Sequence, residues 1–212
     1  MCTTRANLMD DEIATLLKEA GCHTVSFGVE TGSERIRNEV LGKGVTDEEI
    51  LRCGAHLAGH GIRIQTSNMF CLPDENLADA FDTVRLNIRI RTDFSFSTLF
   101  MPFPGTRLAA YCIERGYLKN DFGFSDLPAS FLSHSILALP DRKRIENVQR
   151  MSYFLIRFPL LMRPGEWLAQ TVTWRPLYFP LIFLGTFLRY KEERKISLLN
   201  ALAYLWRFRK SW

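Results

Sequence analysis

Closely spaced cysteines are missing from this chain of 212 residues: its five stand alone at positions 2, 22, 53, 71 and 112. The odd number and the scatter argue against a disulfide framework and point to a reducing, cytoplasmic setting. The same scatter leaves no zinc or iron–sulfur ligand spacing within the chain. The four histidines, His23, His56, His60 and His134, likewise lack metal-like spacing and are expected to be structural. The start, Met1-Cys2-Thr3-Thr4-Arg5, lacks the apolar core of a secretory leader. A long apolar run is absent too. Leu177–Leu188 is nearly uncharged, but its 12 residues fall short of the ~20 that a helix needs to span a bilayer.

Charge is present but unevenly placed. Up to Asp141 there are 13 Lys and Arg against 19 Asp and Glu; from Arg142 onward the counts are 14 and 4, so a net of −6 gives way to a net of +10. All four tryptophans and 14 of the 26 aromatic residues share the basic end. Two functional regions are implied.

The most informative stretch in the acidic part is Val25-Ser26-Phe27-Gly28-Val29-Glu30-Thr31-Gly32-Ser33-Glu34. Val25, Phe27 and Val29 alternate with small residues and predict a buried strand that runs into a Gly-rich turn. Glu30 then stands at the strand's carboxyl end, where parallel α/β folds bind ligands. A loop acid that caps the next helix is the other reading of the same residue.

Strand and helix alternate around this stretch. Cys2–Arg5 reads as the end of a strand. Asp10 caps a helix with Ile13, Leu16 and Leu17 as its apolar face, and Gly21 stops it. A short helix is expected over Glu34–Leu41, with Ser33 as its cap. Thr46 and Glu49 form a capping box for a helix whose apolar positions are Ile50, Ala55 and Leu57. Ile62–Asn68 is a second full strand. A helix over 77–91 buries Phe81, Val84, Leu86 and Ile88, Phe94–Phe100 is a third strand, and Leu108–Arg115 is a helix. Such alternation predicts a parallel sheet with helices outside it, and too few strands to close a barrel.

Four blocks follow one another along the chain: Leu17-Lys18-Glu19-Ala20-Gly21-Cys22, Gly28-Val29-Glu30-Thr31-Gly32-Ser33, Met69-Phe70-Cys71-Leu72-Pro73-Asp74-Glu75 and Pro102-Phe103-Pro104-Gly105-Thr106. In this order they resemble the radical S-adenosylmethionine (SAM) enzymes, most closely the branch with an upstream cobalamin-binding domain. The resemblance covers about Met1–Leu118 and implies the second half of a partial (β/α)6 barrel. It therefore divides the chain into a partial radical SAM core at 1–118, an irregular connection at 119–140 and a helical, basic, aromatic-rich extension at 141–212. The family's CxxxCxxC loop, which holds a 4Fe-4S cluster, and its Gly-Gly-Glu-type strand are not in this sequence. The resemblance thus implies a fragment, a split half or a degenerate copy, inactive alone, with a complementing amino-terminal chain as partner.

The resemblance also implies roles for particular residues. Glu30 would meet the SAM ribose, Lys43 the SAM carboxylate, and the Phe70, Cys71 and Leu72 backbone the adenine, with Arg5 facing the same cavity. Two family glycines are replaced here, by Cys71 and Asp74, whose side chains resist positive-φ conformations. Lys43 has a solvated loop lysine as its plain alternative. Glu75 reads as a helix-start acid favoured by the dipole, and Cys22, Cys53 and Cys112 as buried small hydrophobes. The chemistry implied is reductive cleavage of SAM to a radical that abstracts hydrogen, in the service of cobalamin-dependent methyl transfer or cyclisation. A non-catalytic protein that retains a remnant half-barrel is the alternative.

The basic extension is divided by Pro159, Pro164, Pro176 and Pro180, with Leu198, Leu199, Leu202 and Leu205 at helical spacing and Arg207-Phe208-Arg209-Lys210 at the end. Basic residues with Trp and Phe on amphipathic helices fit an anionic membrane surface, here the inner face. Packing on another subunit is the alternative. Nucleic acid is not expected, because no recognition motif accompanies the charge.

Overall fold

The computed structural model describes residues 1–173 and 175–194. Trp174, the leucines of 198–205 and the basic end at 207–210 lie outside the described residues. A parallel four-stranded sheet runs in the order β1 (Cys2–Thr3), β2 (Thr24–Glu30), β3 (Arg63–Phe70), β4 (Phe94–Leu99). Helices α1 (Asp11–Glu19), α2 (Asp47–Gly59) and α3 (Leu77–Ile90) connect these strands, and α4 (Arg107–Glu114) follows β4. Each helix start has a local cause. Asp10 accepts the Ile13 N–H at 2.8 Å, the Thr46–Glu49 capping box opens α2, and Asn76 with Asp79 forms a second box before α3.

One face of the sheet is fully covered. Val25, Phe27 and Val29 of β2 and Ile64 of β3 pack beneath Ala14, Ile50, Cys53, Leu57, Leu86 and Ile90 of the three helices. A buried chain of side-chain hydrogen bonds locks α3 to the sheet: Thr66 Oγ1 donates to Asn87 Oδ1 (2.6 Å), Asn87 Nδ2 to Asn68 Oδ1 (2.8 Å) and Asn68 Nδ2 to Ser95 Oγ (3.0 Å). Gly32 has to be glycine. A Cβ there would stand 2.2 Å from the Asp82 backbone, so the turn after β2 lies directly on α3.

Two expected features differ in detail. Ile13 and Leu16 of α1 are exposed and only Ala14 is fully buried there, because no further element among the described residues packs on that helix; on α2, Cys53 and Gly54 are buried and Ala55 is not. Residues 36–40, expected within a regular helix, form a wider π turn closed by Leu41 N–H to Ile36 C=O at 3.0 Å.

Beyond β4 the chain returns as α5 (Arg142–Arg157), α6 (Met162–Thr171) and α7 (Arg175–Arg194). Helix α5 packs on α3 and β4 and shares a second core with Phe70, Phe81, Leu99 and Tyr178. It carries a buried ion pair, Glu146–Arg150 at 3.1 Å, and both side chains reach back to the irregular segment through the Ser135 N–H and the Ser133 carbonyl. Among the described residues, no helix is long and apolar enough to cross a membrane.

Candidate functional site

The carboxyl end of β2 gathers three of the sequence-derived site residues. At Gly28 and Glu30 the pairing with β3 slips by one residue, and Glu30 turns into the left-handed region at φ 65°. Its side chain then folds back over Gly28, where a Cβ would stand 2.2 Å from Glu30 Oε1. Lys43 Nζ lies 2.7 Å from that oxygen, and Arg5 Nη2 donates to the Lys43 carbonyl at 2.7 Å. The Lys43 N–H is held in turn by the Arg37 carbonyl at 3.0 Å, and Val45 N–H by Asn38 Oδ1 at 3.0 Å. Both backbone groups of Lys43 are therefore fixed while its ammonium stays half open to solvent, over a carboxylate that is only 15% exposed.

Phe70, Cys71 and Leu72 lie apart from that trio, in the loop that leaves the neighbouring strand. All three side chains are fully buried. Their backbone groups are largely engaged: the Phe70 carbonyl accepts from Phe100 N–H at 2.8 Å, and the Leu72 N–H donates to Glu75 Oε2 at 3.0 Å. Cys71 and Asp74 do adopt positive φ, 58° and 62°. Burial pushes the Cys71 thiol well up, and the nearby Glu75 and Glu146 carboxylates add to the shift, so it is an inert sulfur.

Two features of this loop had no signal in the sequence. Glu75, expected at the helix start, is buried beneath the loop instead, and that burial raises its carboxyl to about 8 although the Leu72 and Cys71 N–H groups favour the charge. Asp74 accepts from the hydroxyls of Tyr111 and Tyr117, the latter at 2.6 Å, and so ties the loop to α4 and its C-terminal turn. Burial alone would raise the Asp74 carboxyl, but the two tyrosine donors and the Arg115 and Arg35 charges hold it below the usual range.

Residues 1–86 match the profile of the Radical SAM superfamily. This amino-terminal part of the chain belongs to the radical SAM superfamily. Among proteins of known sequence, an uncharacterized methyltransferase of Pyrococcus horikoshii is 33% identical over 116 residues, which cover 55% of this chain and 25% of that protein. A tRNA-2-methylthio-N(6)-dimethylallyladenosine synthase of Moorella thermoacetica is 36% identical over 90 residues, covering 42% and 20%. The chain thus spans about a quarter or less of these relatives.

Radical SAM membership implies SAM and a 4Fe-4S cluster, and the two fit these residues differently. For SAM there is a carboxylate, an ammonium and a guanidinium at one strand end, with a glycine whose missing side chain makes room for that carboxylate. Gln65 and Ser67 line the same sheet face beside Ser26 and Gly28, and Gln65 Oε1 is buried there without a partner among the described residues. For the cluster, no group of three or more Cys, His, Asp or Glu among the described residues could hold a metal. Cys53, Cys71 and Cys112 are buried singly, and burial raises Cys53 and Cys112 to about 12.

Proposed function

We propose that this radical SAM chain supplies the SAM-holding part of an enzyme for methyl-type transfer, with the cluster ligands outside it. The convergence of Arg5, Glu30 and Lys43 over Gly28 carries the reading. Lys43 gives up its bond to Glu30 and meets the SAM carboxylate as a point charge. Glu30, released, accepts from the two ribose hydroxyls, which replace one charged partner by two donors. Arg5 acts on the lysine's backbone and keeps the loop at the right height. The adenine is framed by the Phe70–Leu72 backbone, the three side chains being taken up in the core. A 4Fe-4S cluster, which no described residues of this chain would hold, would supply the electron for SAM cleavage. The finer form of the proposal is cobalamin-assisted methyl transfer or cyclisation, with cobalamin held by another domain; the methyltransferase name of the Pyrococcus relative supports the transfer class alone. The sheet beyond β1 is then completed by a second polypeptide segment that brings the CxxxCxxC loop.

Calorimetric titration of the purified chain with SAM tests the site. Saturable binding is expected, weakened about tenfold or more in Glu30→Gln and in Lys43→Ala, in line with a charge-assisted bond of roughly 1.5–3 kcal/mol. Binding that both variants leave intact sinks the assignment. Anaerobic reconstitution with iron and sulfide is expected to leave no stable cluster on this chain; a 4Fe-4S cluster with SAM turnover would show that the ligands are here after all.

A further inference from the structure

The other end of the sheet carries a surface that SAM binding does not use. A cleft of about 530 Å³ opens at the amino ends of β3 and β4, with Arg63, Arg91 and Arg157 among its walls. The Arg63 guanidinium stacks on Phe94 at 5.3 Å and that of Arg157 on Phe158 at 5.9 Å. None of the three makes an ion pair among the described residues. Two acids, Asp93 and Glu192, share the cleft, so three cations face two carboxylates, and Asp93 Oδ2 is already taken by the Ile64 N–H at 2.8 Å.

Next to the cleft the chain turns between α5 and α6 through Phe158-Pro159-Leu160-Leu161. This turn points its apolar side chains into solvent. Leu160 is 95% exposed, Phe158 52% and Leu161 42%. Continuing at helical spacing, Arg163, Pro164 and Trp167 lie on the outward face of α6, with Trp167 64% exposed. Pro159 at the first position of the turn stiffens it, so the leucines project without extra ordering cost.

An exposed leucine and tryptophan flanked by arginines is costly in water and favourable at a bilayer interface, where apolar tips enter the headgroup boundary and guanidiniums meet phosphate. We propose that this corner is a docking surface for an anionic membrane: the Phe158–Leu161 turn and Trp167 enter the interface, and Arg63, Arg91 and Arg157 hold lipid phosphate in the adjoining cleft. Charge complementarity selects the occupant, because the chain from Arg142 onward carries a net of +10. Docking by this end leaves the Glu30–Lys43 end of the strands facing away from the bilayer.

Flotation of the full chain with lipid vesicles tests the surface without reference to SAM. The chain is expected to float with phosphatidylcholine–phosphatidylglycerol vesicles about tenfold more strongly than with phosphatidylcholine alone, and to release at high salt. Arg63→Gln and Arg157→Gln should each weaken flotation about fivefold. Leu160→Ser should weaken it by a similar factor, and a residue so exposed leaves the circular dichroism spectrum unchanged. Equal partition into both vesicles, no partition into either, or variants that float like the parent chain would overturn the proposal. So would binding to a single-stranded RNA oligonucleotide that depends on the same arginines while vesicles are ignored.

Discussion

At the residue scale, Glu30 holds a left-handed backbone that costs a non-glycine residue about 1–2 kcal/mol. The ion pair with Lys43 and the empty flank of Gly28 are what offset it. Gly28→Ala should therefore push the Glu30 carboxylate off Lys43 without unfolding the sheet, since the clash is with the mobile end of a side chain. We expect SAM affinity to fall about tenfold while the melting temperature changes by no more than about 2 °C; a large loss of stability with unchanged affinity would refute the role given to Gly28. Glu75 is the opposite case, an acid whose burial raises its carboxyl from 4.5 to about 8. The penalty for ionising it in the fold is absent below 4.5, grows as the pH rises between those values and is complete above them. Urea unfolding should show the parent chain losing on the order of 4 kcal/mol relative to Glu75→Gln between pH 5 and pH 9. Parallel pH profiles for the two would exclude a buried, protonated Glu75.

At the scale of elements, the β3–α3 loop is held from outside by the two tyrosines on Asp74. Asp74→Asn keeps a side chain that tolerates positive φ but removes the charge that both hydroxyls seek. We expect a cost of about 2 kcal/mol in urea unfolding. Tyr117, raised to about 12 mainly by its hydrogen bond to Asp74, should ionise at lower pH in an ultraviolet titration. An unmoved tyrosine titration would mean that the bonds do not persist in solution. This latch also marks the limit of what the sequence reveals. The alternation of β2, α2, β3, α3 and β4 was legible, because period and capping residues such as Thr46 and Glu49 act over a few neighbours. The Glu30–Lys43 pairing was approached through the family resemblance. The tyrosine contacts join residues 37 and 43 apart and leave no local pattern. Helix α5 has an apolar stripe at Ile145, Val148, Met151 and Leu155, but the burial of its polar neighbours Glu146, Asn147, Gln149 and Arg150 rests on distant partners and leaves no local pattern either.

For the whole molecule, the sheet is finished on one side and open on the other. Parallel sheets are ordinarily covered on both faces, but here helices cover one face while Thr3, Ser26, Gln65 and Ser67 line the other. Strand β1 is only two residues long and, among the described residues, pairs with β2 alone. Beside it Met1, Leu8, Ile13 and Leu16 are exposed at 65%, 59%, 37% and 57%. An unpaired edge next to an apolar patch is a template for another strand and its helix. If a CxxxCxxC-bearing polypeptide completes the sheet, as proposed, adding it should slow amide hydrogen exchange across Cys2–Arg5 by about tenfold or more and leave β3, already paired on both sides, unchanged. Leu16→Lys, a surface change in the isolated chain, should weaken that protection by removing the helix contact while the chain itself stays folded. Protection confined to α5–α7 would place the partner at the basic extension and refute completion at β1.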